Sequence, residues 1–338
     1  MVVFLSSLIK DLENPKNLPD KTNTVEVVQT HISLVFIGDE YVYKIKKPVN
    51  FGFLDFSTLE KRKFYCEKEV KLNSRFSKDV YLGVLPVTYD GAVYQIDGKG
   101  ELVDYAVKMR RLAEEDLLKT QFFNKTITDD DIRRIAKAIA KFHKNSLRSD
   151  EIDNYGSLKT VKFNTDENFE QTKGFINKSI TQKQFDDLKK WTDDFYKNNK
   201  ALFSKRISEG KIRDCHGDLH MEHICLTDPI IIFDCIEFNE RFRYSDILSD
   251  ISFLLMDLEY NGGKRFAELL CKTYLDELDE SDESIYELIT YYKVYRAYVR
   301  GKVTSFILND PSIDEEKKDK ARKTAQRYFS LAHSFISK

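Results

Sequence analysis

The chain reads HGDLHMEHICL at positions 216–226, followed by the apolar run PIIIF at 229–233 and then by Asp234. Asp218 lies in a short loop, and Asp234 ends a run whose composition is typical of a buried strand. Phosphoryl-transfer sites of the kinase type use two carboxylates in this order, the first to orient the attacking hydroxyl and the second to hold Mg²⁺. The stretch therefore predicts a catalytic loop, with His216 and Asp218 as its catalytic candidates, and a metal ligand at Asp234.

His223 follows Asp218 by five residues, at the position where a kinase-type site has an oxygen ligand for Mg²⁺. A neutral imidazole favours softer ions such as Mn²⁺ or Zn²⁺. We count His223 with Asp234 as a candidate metal ligand, and we leave open that it bonds a phosphate or supports the loop. The expected metal is Mg²⁺, with Mn²⁺ as the alternative.

The same stretch is compatible with a second class of function. The spacing H-x-D-x-H-x-x-H, together with Asp234, suits Zn²⁺ or a di-metal centre in a metal-dependent hydrolase. Its members are His216, Asp218, His220 and His223. That interpretation leaves the N-terminal third of the chain without a role. A third hypothesis, suggested by the histidine at position 223, is an ATP-binding protein without turnover.

Residues 1–112 have the pattern of a β-rich lobe. Runs of β-branched and aromatic residues, separated by turn residues, predict strands at 25–29, 34–37, 41–46, 81–89, 92–96 and 102–109. Ser57-x-x-Glu60 is a capping-box pattern and predicts a helix that runs from there to about Phe76. This arrangement is an antiparallel sheet with one long helix, and we interpret it as a nucleotide-binding lobe.

Residues 113–338 have a mostly helical pattern. Thr128 and the capping box Thr181-x-x-Gln184 each precede a run with apolar residues on one helical face. The segment 144–166 is polar and predicts a loop, whereas 244–338 is almost wholly helical in pattern. A β-rich lobe followed by a helical lobe with the catalytic loop and substrate pocket predicts an α+β, two-lobe fold of the protein-kinase-like class.

Lys44 lies at the end of an apolar strand, from which a lysine can reach the α- and β-phosphates of a nucleotide if a helix carboxylate holds it. Lys46 lies on the same face of the strand, because side chains alternate with a period of two. The helix offers Glu67 and Glu69, and Glu69 fits the pattern better. Lys44 and Glu69 are therefore the predicted pair, with Lys46 and Glu67 as alternatives.

Two further segments are candidates for contacts with the nucleotide. The turn that contains Ser33 lacks a GxGxxG motif, but its hydroxyl and backbone N–H groups suit contact with phosphates. Met109 and Arg111 leave the last predicted strand of the lobe and would form the hinge, where adenine bonds backbone groups.

Composition limits the class of protein. A chain of 338 residues with 41% hydrophobic residues is a folded protein with room for two lobes. Its 54 basic and 56 acidic residues give a charge of −2, which argues against a nucleic-acid partner. No apolar run approaches the ~20 residues of a membrane span. The N-terminus predicts an amphipathic helix rather than an export signal.

Five cysteines without a CxxC pair indicate reduced thiols. We therefore expect a cytoplasmic protein without a membrane partner. Its oligomeric state is left open.

The residues resemble the aminoglycoside phosphotransferase/choline kinase-like superfamily. HGDLHMEHICL followed by IIIFDCIEF is similar to its catalytic loop and metal-binding aspartate, and 244–251 is similar to a downstream segment whose second acid, here Asp250, braces that loop. The block 30–60 and the stretch DCIEFN at 234–239 resemble an uncharacterised bacterial and archaeal branch, in which histidine at the position of His223 is usual. The resemblance covers about 25–308. It implies ATP- and Mg²⁺-dependent transfer of the γ-phosphate to a hydroxyl of a small molecule.

The acceptor is not identified by these motifs, but candidates for its pocket follow the metal-binding aspartate. They are Glu237, Asn239, Arg241 and Arg243, and, on a later helix, Tyr291, Tyr292, Tyr295, Arg296, Tyr298 and Arg300. The alternative for the Tyr/Arg cluster is a half-buried helix that packs its rings and stems in the core.

Overall fold

The computed structural model describes residues 2–311 and 313–337, with side chains from residue 5 onward. The chain forms two compact units. The first contains the residues up to 121 together with 223–240, and the second contains 122–222 together with 241–338. No helix in the described part of the chain is both long enough and apolar enough to cross a lipid bilayer.

The N-terminal part alternates strands with two longer helices. Its elements are α1 (Val2–Leu12), β1 (Glu26–Gln29), β2 (Ser33–Ile37), β3 (Tyr41–Lys46), α2 (Leu59–Asn73), β4 (Tyr81–Tyr89), β5 (Tyr94–Ile96), β6 (Glu101–Arg110) and α3 (Leu118–Phe123). All six predicted strands are present, and β3 and β4 have the predicted bounds.

The remainder is mostly helical. Its elements are α4 (Asp129–Asn145), α5 (Asp150–Asp153), α6 (Leu158–Thr172), α7 (Gln182–Asn198), α8 (Lys200–Ser208), β7 (Ile212–Asp214), β8 (Ile224–Cys225), β9 (Ile231–Ile232), α9 (Glu240–Arg243), β10 (Tyr244–Asp246), α10 (Ile247–Tyr260), α11 (Lys264–Glu277), α12 (Ser284–Phe306) and α13 (Glu315–Ile336). The predicted α+β class, with a sheet first and helices after it, is confirmed.

The first unit is built on one antiparallel sheet with the strand order β1-β2-β3-β6-β4-β5. Tyr43 and Ile45 of β3 face the core that the sheet forms with Leu8 and Leu12 of α1. Because side chains alternate along a strand, Lys44 projects from the opposite face, beside Val107 of β6. Val107 packs there against Cys66 of α2. The alternation that buries Tyr43 and Ile45 thus aims Lys44 at α2.

Helix α2 begins one residue later than predicted. Thr58, not Ser57, is its N-cap, and the Thr58 hydroxyl accepts the N–H of Lys61. Ser57 is drawn into a different local interaction, since its hydroxyl donates to the carboxylate of Asp55 at 2.6 Å. The predicted capping box at Ser57 is therefore wrong, whereas the predicted cap at Thr128, which begins α4, and the predicted capping box at Thr181, which begins α7, are confirmed.

The polar segment 144–166 is not the predicted loop. It contains α5 and the first half of α6, whose N-caps are the hydroxyls of Ser149 and Ser157. Helix α6 gives little apolar signal because its buried positions are mostly polar: Thr165, Asn168, Phe169 and Thr172. The helix predicted after Thr181 also differs, since it is interrupted at Asn199 and forms two helices.

The second unit packs around α10 and α12. Helix α10 is buried along most of its length. Phe253 and Met256 of α10 belong to one apolar cluster with Ala297 of α12 and Phe329 of α13. Gly301 of α12 lets α13 approach closely, because a Cβ atom there would lie 2.9 Å from the ring of Phe329. Phe329 is completely buried at this contact.

We expect Phe329→Ala to lower the free energy of unfolding by about 3–5 kcal/mol, because the lost ring leaves a cavity between α12 and α13. The matched control is Phe123→Ala, whose ring is 54% exposed and which should change stability little. The measurement is urea-induced unfolding of both variants followed by circular dichroism. Equal shifts of the two midpoints would show that the α12–α13 contact is not a main support of the unit.

Candidate active site

In the first unit a half-buried lysine is held between two carboxylates. Lys44 Nζ donates to Glu69 Oε1 at 2.9 Å and to Asp234 Oδ1 at 2.6 Å. Glu69 is completely buried on α2, on the helix face that also buries Cys66 and Asn73. Of the two acids left open by the sequence, Glu69 faces the sheet, while the side chain of Glu67 is 58% exposed beside Lys63.

A second lysine joins the same carboxylate. Lys46 Nζ donates to Glu69 Oε2 at 2.6 Å and also to Glu237 Oε1. Its ammonium also lies over the ring of Phe56, 4.8 Å from the ring centroid, as in a cation–π contact. The choice between Lys44 and Lys46 is therefore not exclusive, since one oxygen of Glu69 serves each. Alternation along the strand predicted the shared face but not the partner Glu237, which is remote in the chain.

Charges in this cluster are strongly coupled. Burial would raise the pKa of Glu69, but the ammonium groups of Lys44 and Lys46 bring it below its ordinary value. Burial would lower the pKa of Lys44, yet Asp234 and Glu69 hold it well above the ordinary range. Burial raises the pKa of Glu237, and Lys46 offsets this only in part. The two lysines therefore stay protonated at neutral pH.

Asp234 is presented by its backbone as well as by its side chain. Its φ of +61° lies in the left-handed region, which few residues other than glycine adopt. Its N–H donates to the hydroxyl of Tyr81 at 3.0 Å, and the next N–H, of Cys235, donates to Asn73 Oδ1 at 2.9 Å. The side chain remains 39% exposed. The surrounding structure thus holds an uncommon backbone conformation that turns a carboxylate outward.

His223 lies beside Asp234. Its Nε2 is 3.6 Å from Asp234 Oδ2, and its ring contacts that of Phe233. Two ligand atoms that each lie roughly 2.1 Å from one ion can be at most about 4.2 Å apart, so this separation suits a shared divalent cation. A carboxylate oxygen with an imidazole nitrogen is a donor set that Mn²⁺ accepts more readily than Mg²⁺ does.

In the second unit the loop that carries Asp218 is held through its backbone. The N–H groups of His216 and Gly217 donate to Asp250 Oδ2 and Oδ1 at 2.9 and 2.8 Å. The carbonyl of Gly217 accepts from Arg296 of α12 at 3.0 Å. Asp250 lies near the start of α10, so two buried helices fix the residue before Asp218. The predicted bracing by Asp250 corresponds to these two bonds.

Asp250 is completely buried and also accepts from His143 Nε2 at 3.1 Å. Burial opposes its charge, but the hydrogen bond from His143 and the electrostatic attraction of neighbouring side chains, Arg296 among them, lower the pKa of Asp250 to about 2. The carboxylate is therefore ionised across the neutral range.

His220 contacts the side chain of Asp218, which is 34% exposed. His220 Nδ1 accepts the N–H of Glu222 at 3.4 Å, so in the neutral ring the hydrogen is on Nε2. That Nε2 lies 3.4 Å from Asp218 Oδ2. Burial opposes protonation of His220, but Asp218 raises its pKa above the ordinary value. The sequence assigned His220 only to the alternative metal cluster and missed this contact.

His216 is turned into the protein. It is completely buried, and its Nδ1 accepts the N–H of Asp218 at 3.2 Å. In this position the imidazole supports the backbone of the loop. The arrangement gives His216 a positioning contact with Asp218 in the interior of the protein.

The remaining nucleotide candidates lie in the first unit. Ser33 is buried, and the hydroxyl of Thr30 accepts its N–H at 2.9 Å. Met109 packs in the cluster that contains Val107 and Tyr81. Arg111 ties the end of β6 to the turn after β2, with its N–H on the carbonyl of Glu40 and its guanidinium on that of Gly38. No ligand contact tests these three residues, which stay predictions.

The acceptor-pocket candidates divide into buried and accessible groups. Tyr291, Tyr292 and Tyr298 are buried in α12, as the half-buried-helix alternative expected. Arg243 is paired with Asp214 at 2.6 Å, and Asn239 donates to the carbonyl of Phe53.

The more accessible members of α12 and of the segment after Asp234 are Tyr295, Arg300 and Arg241. Burial disfavours the charge of Arg300, but Tyr328 and Asp218 raise its pKa. Arg241 forms an ion pair with Glu167 at 2.8 Å.

Comparison with known proteins gives the family. The model described as "Phosphotransferase enzyme family" matches residues 80–284 of the chain. The chain therefore belongs to the phosphotransferase enzyme family, in agreement with the superfamily that the sequence motifs resemble.

Relatives at the sequence level are uncharacterised. One, from Mycobacterium tuberculosis, is 31% identical over 281 residues, which are 82% of this chain and 54% of that protein. A protein from Mycobacterium bovis matches equally well. The chain thus spans about half the length of the curated relatives it matches.

Solved structures confirm the protein-kinase-like fold. A choline/ethanolamine kinase family protein from Mesorhizobium loti is similar with a TM-score of 0.52 and 14% identity, over 99% of both chains. A microcompartment-associated aminopropanol kinase is similar with a TM-score of 0.52 and 11% identity, over 100% of this chain and 98% of that one. At such identities the likeness establishes the fold alone.

We expect Lys46→Met to lower the free energy of unfolding by about 3–5 kcal/mol, because it leaves the buried Glu237 carboxylate without its cation. The double variant Lys46→Met/Glu237→Leu should recover part of that loss, since it removes both charges of this pair but still leaves Glu69 Oε2 without its donor. The control, Lys61→Met, breaks an exposed pair with Asp55 and should leave the urea midpoint unchanged. A double variant no more stable than the single one would refute a specific Lys46–Glu237 interaction.

We also expect Asp250→Asn to destabilise the protein at pH 7, because the new amide has one acceptor oxygen and can accept from only one of the N–H groups of His216 and Gly217, while its own N–H groups oppose the other. Since the pKa of Asp250 is lowered to about 2, the wild type keeps this stabilisation above about pH 4 and loses it as the pH falls toward 2. The stability gap between wild type and variant should shrink by about 1 kcal/mol between pH 5 and pH 3. Urea unfolding at several pH values measures it. A gap independent of pH would contradict the lowered pKa.

Proposed function

We propose that the chain is an ATP-dependent phosphotransferase that moves the γ-phosphate of ATP to a hydroxyl of a small molecule. The observation that carries the proposal is Lys44, which is held by the buried Glu69 and contacts Asp234. A lysine fixed in this way on a strand, with a carboxylate that can hold metal beside it, suits contact with nucleotide phosphates. Membership of the phosphotransferase enzyme family supports the same reaction class.

Lys44 would supply the charge that binds the α- and β-phosphates. Its ammonium has a fixed direction because Glu69 is completely buried and cannot reorient without losing its partners. When a phosphate oxygen replaces Asp234 as the partner of Lys44, Glu69 still holds the lysine. The ion pair thus prepares the cation for an anionic ligand instead of ordering it after binding.

Asp218 would orient the acceptor. One oxygen of its carboxylate faces the Nε2–H of His220, at 3.4 Å. The carboxylate then accepts a hydrogen bond from the acceptor hydroxyl and takes its proton late in the transfer. His220 would be a positioning residue, because its hydrogen bond fixes the rotation of the Asp218 side chain.

Asp234 and His223 would hold the divalent cation that such a reaction requires. The cation, when bound, neutralises charge on the phosphates. The two ligand atoms are 3.6 Å apart, which is compatible with one shared ion. Lys44 must then share or give up its contact with Asp234, so metal and nucleotide are expected to bind together.

We expect Asp234→Asn to weaken binding of the metal–ATP complex at least tenfold, because it removes the ionised metal ligand. Asp218→Asn should bind ATP as the wild type does but lose at least a hundredfold in phosphoryl transfer, because it removes the proton acceptor. Calorimetric titration with ATP, in Mg²⁺ and in Mn²⁺, measures binding. ADP production with a panel of small hydroxyl compounds measures turnover.

The control is Asp319→Asn on the exposed surface of α13, which should match the wild type in both assays. Undiminished turnover by Asp218→Asn would remove Asp218 from the mechanism. If the wild type bound no ATP with either ion but took up Zn²⁺ stoichiometrically, the result would reject the phosphotransferase and favour the metal-dependent hydrolase.

A further inference from the structure

Arg300 of α12 lies one helical turn beyond the contact between α12 and the loop that carries Asp218. At that contact Arg296 donates to the carbonyl of Gly217 at 3.0 Å. Residues four apart lie on the same side of a helix, with Cβ atoms about 6 Å apart. The side chain of Arg300 therefore leaves α12 on the side that faces this loop.

The electrostatic interactions of Arg300 agree with this position. Burial opposes its charge, but Tyr328, Asp218 and, less strongly, Asp257 raise its pKa. Burial lowers the pKa of His220, Asp218 raises it above the ordinary value, and the charge of Arg300 works against that rise. The guanidinium thus interacts with both members of the Asp218–His220 contact.

No carboxylate of the described residues lies within ion-pair distance of Arg300. Its guanidinium lies over Tyr328 of α13, 5.6 Å from the ring centroid. A guanidinium has five N–H donors in one plane, so a hydrogen bond to the Tyr328 hydroxyl still leaves enough of them for two further oxygens. Since Arg300 is half-buried, a counter-ion would stabilise its charge. The position therefore favours binding of an anion.

The two acids that interact with Arg300 have other hydrogen-bond partners. Asp257 Oδ2 accepts the N–H of Met221 at 3.0 Å, and its Oδ1 accepts from the amide of Asn261 at 3.3 Å. Asp218 is needed for the acceptor hydroxyl under the proposed function. Neither carboxylate can move onto Arg300 without losing these contacts, so neither serves as its direct counter-ion.

Rings on two helices support Arg300. Tyr328 is buried and stacks on Tyr260 of α10, with 3.8 Å between the ring centroids. Arg327 lies over Tyr260 in turn, 4.5 Å from its centroid. A guanidinium that rests on a fixed ring is preorganised, and it loses less side-chain entropy when it binds an anion.

Charge balance is the simplest alternative role for Arg300. A positive charge near Asp218 and Asp257 would offset their repulsion even if no ligand bound there. That role depends on charge alone, so a lysine would perform it as well as an arginine. Anion binding depends also on the paired N–H groups of the guanidinium, which a lysine lacks. The two roles therefore predict different behaviour for Arg300→Lys.

We propose that Arg300 determines acceptor specificity by binding an anionic group of the acceptor, a carboxylate or a phosphate, while Asp218 binds the acceptor hydroxyl. This inference rests on the proposed function, which supplies transfer to a hydroxyl. The acceptor is then a hydroxy acid or the phosphate ester of a polyol rather than an amino alcohol, because Arg300 repels an ammonium group at the same point.

The test uses polyols of matched length that differ in charge. The three-carbon set is glycerate, glycerol 3-phosphate, neutral glycerol and cationic aminopropanediol. The six-carbon set is gluconate, sorbitol 6-phosphate, neutral sorbitol and cationic glucamine. Binding to the full chain is measured by calorimetry at pH 7 without nucleotide. In at least one set an anion should bind about tenfold more tightly than the neutral and the cationic probe. The preferred anion distinguishes a carboxylate from a phosphate.

Two variants of Arg300 separate anion binding from charge balance. Arg300→Gln removes the charge, so it should bind the preferred anion about tenfold more weakly while its binding of the neutral probe is unchanged. Arg300→Lys keeps the charge but lacks the paired N–H groups, so it should lose part of the anion binding. The control is Arg265→Gln on α11, whose arginine is 70% exposed and which should bind as the wild type does. Urea unfolding shows that each variant is folded.

The proposal is overturned if no anion is preferred in either set, if a cationic probe is preferred, or if Arg300→Gln binds anions as the wild type does. Charge balance replaces it if Arg300→Gln weakens all probes equally and Arg300→Lys weakens none. ADP production with each probe separates these results from the proposed function. Anion binding that depends on Arg300 without ATP consumption would keep the anion site and reject the transfer. ATP consumption with a cationic probe as the preferred acceptor would keep the transfer and reject the role of Arg300.

Discussion

Glu69 is the acid on which the first unit's candidate site depends, because its two oxygens are divided between two lysines. A completely buried carboxylate is costly unless it is both neutralised and hydrogen bonded, and Lys44 and Lys46 do both. The same carboxylate joins α2 to β3, since both lysines project from the face of the strand that is turned toward the helix. Glu69 thus determines both the positions and the protonation of the two lysines. Asp234 then contacts Lys44, and Glu237 contacts Lys46.

In the second unit the loop that carries Asp218 has to be held in place without regular secondary structure. Backbone N–H groups in such a loop need acceptors, and Asp250 supplies both of its oxygens to two consecutive residues. The next turn is treated in the same way, because the N–H of Met221 donates to Asp257 at 3.0 Å. Helix α10 therefore offers two carboxylates, seven residues apart, to one loop. The side chain of Asp218 can remain accessible because the backbone around it is already satisfied.

Much of the fold could be predicted where one local rule acts alone. Alternation along β3 gave the face of Lys44, whereas the apolar run before Asp234 forms only the two-residue strand β9, in which Ile232 is buried and Ile231 half-buried. The cap at Thr128 and the capping box at Thr181 were predicted correctly for the same reason, since a cap depends on residues within one turn. Thr58 was missed because Asp55 competes for the hydroxyl of Ser57, and α6 was missed because its buried face is polar.

Contacts between distant parts of the chain were less accessible to such reasoning. The sequence could not pair Lys46 with Glu237, since the two are 191 positions apart. The hydrogen-bonding direction of His220 follows from a backbone N–H whose position is set by the loop. The roles assigned to Ser33, Met109 and Arg111 depend on a ligand, and they stay predictions.

The left-handed backbone at Asp234 has a consequence for how such a chain changes over time. Glycine adopts positive φ without steric cost, and asparagine adopts it more readily than most residues, although either replacement would remove one of the two carboxylates that bind Lys44. Replacement of this acid would therefore relieve backbone strain at the expense of the site. Selection for activity and selection for stability oppose each other at this position. If selection for activity were relaxed in a lineage, we would expect Asp234 to be lost early while the fold was kept.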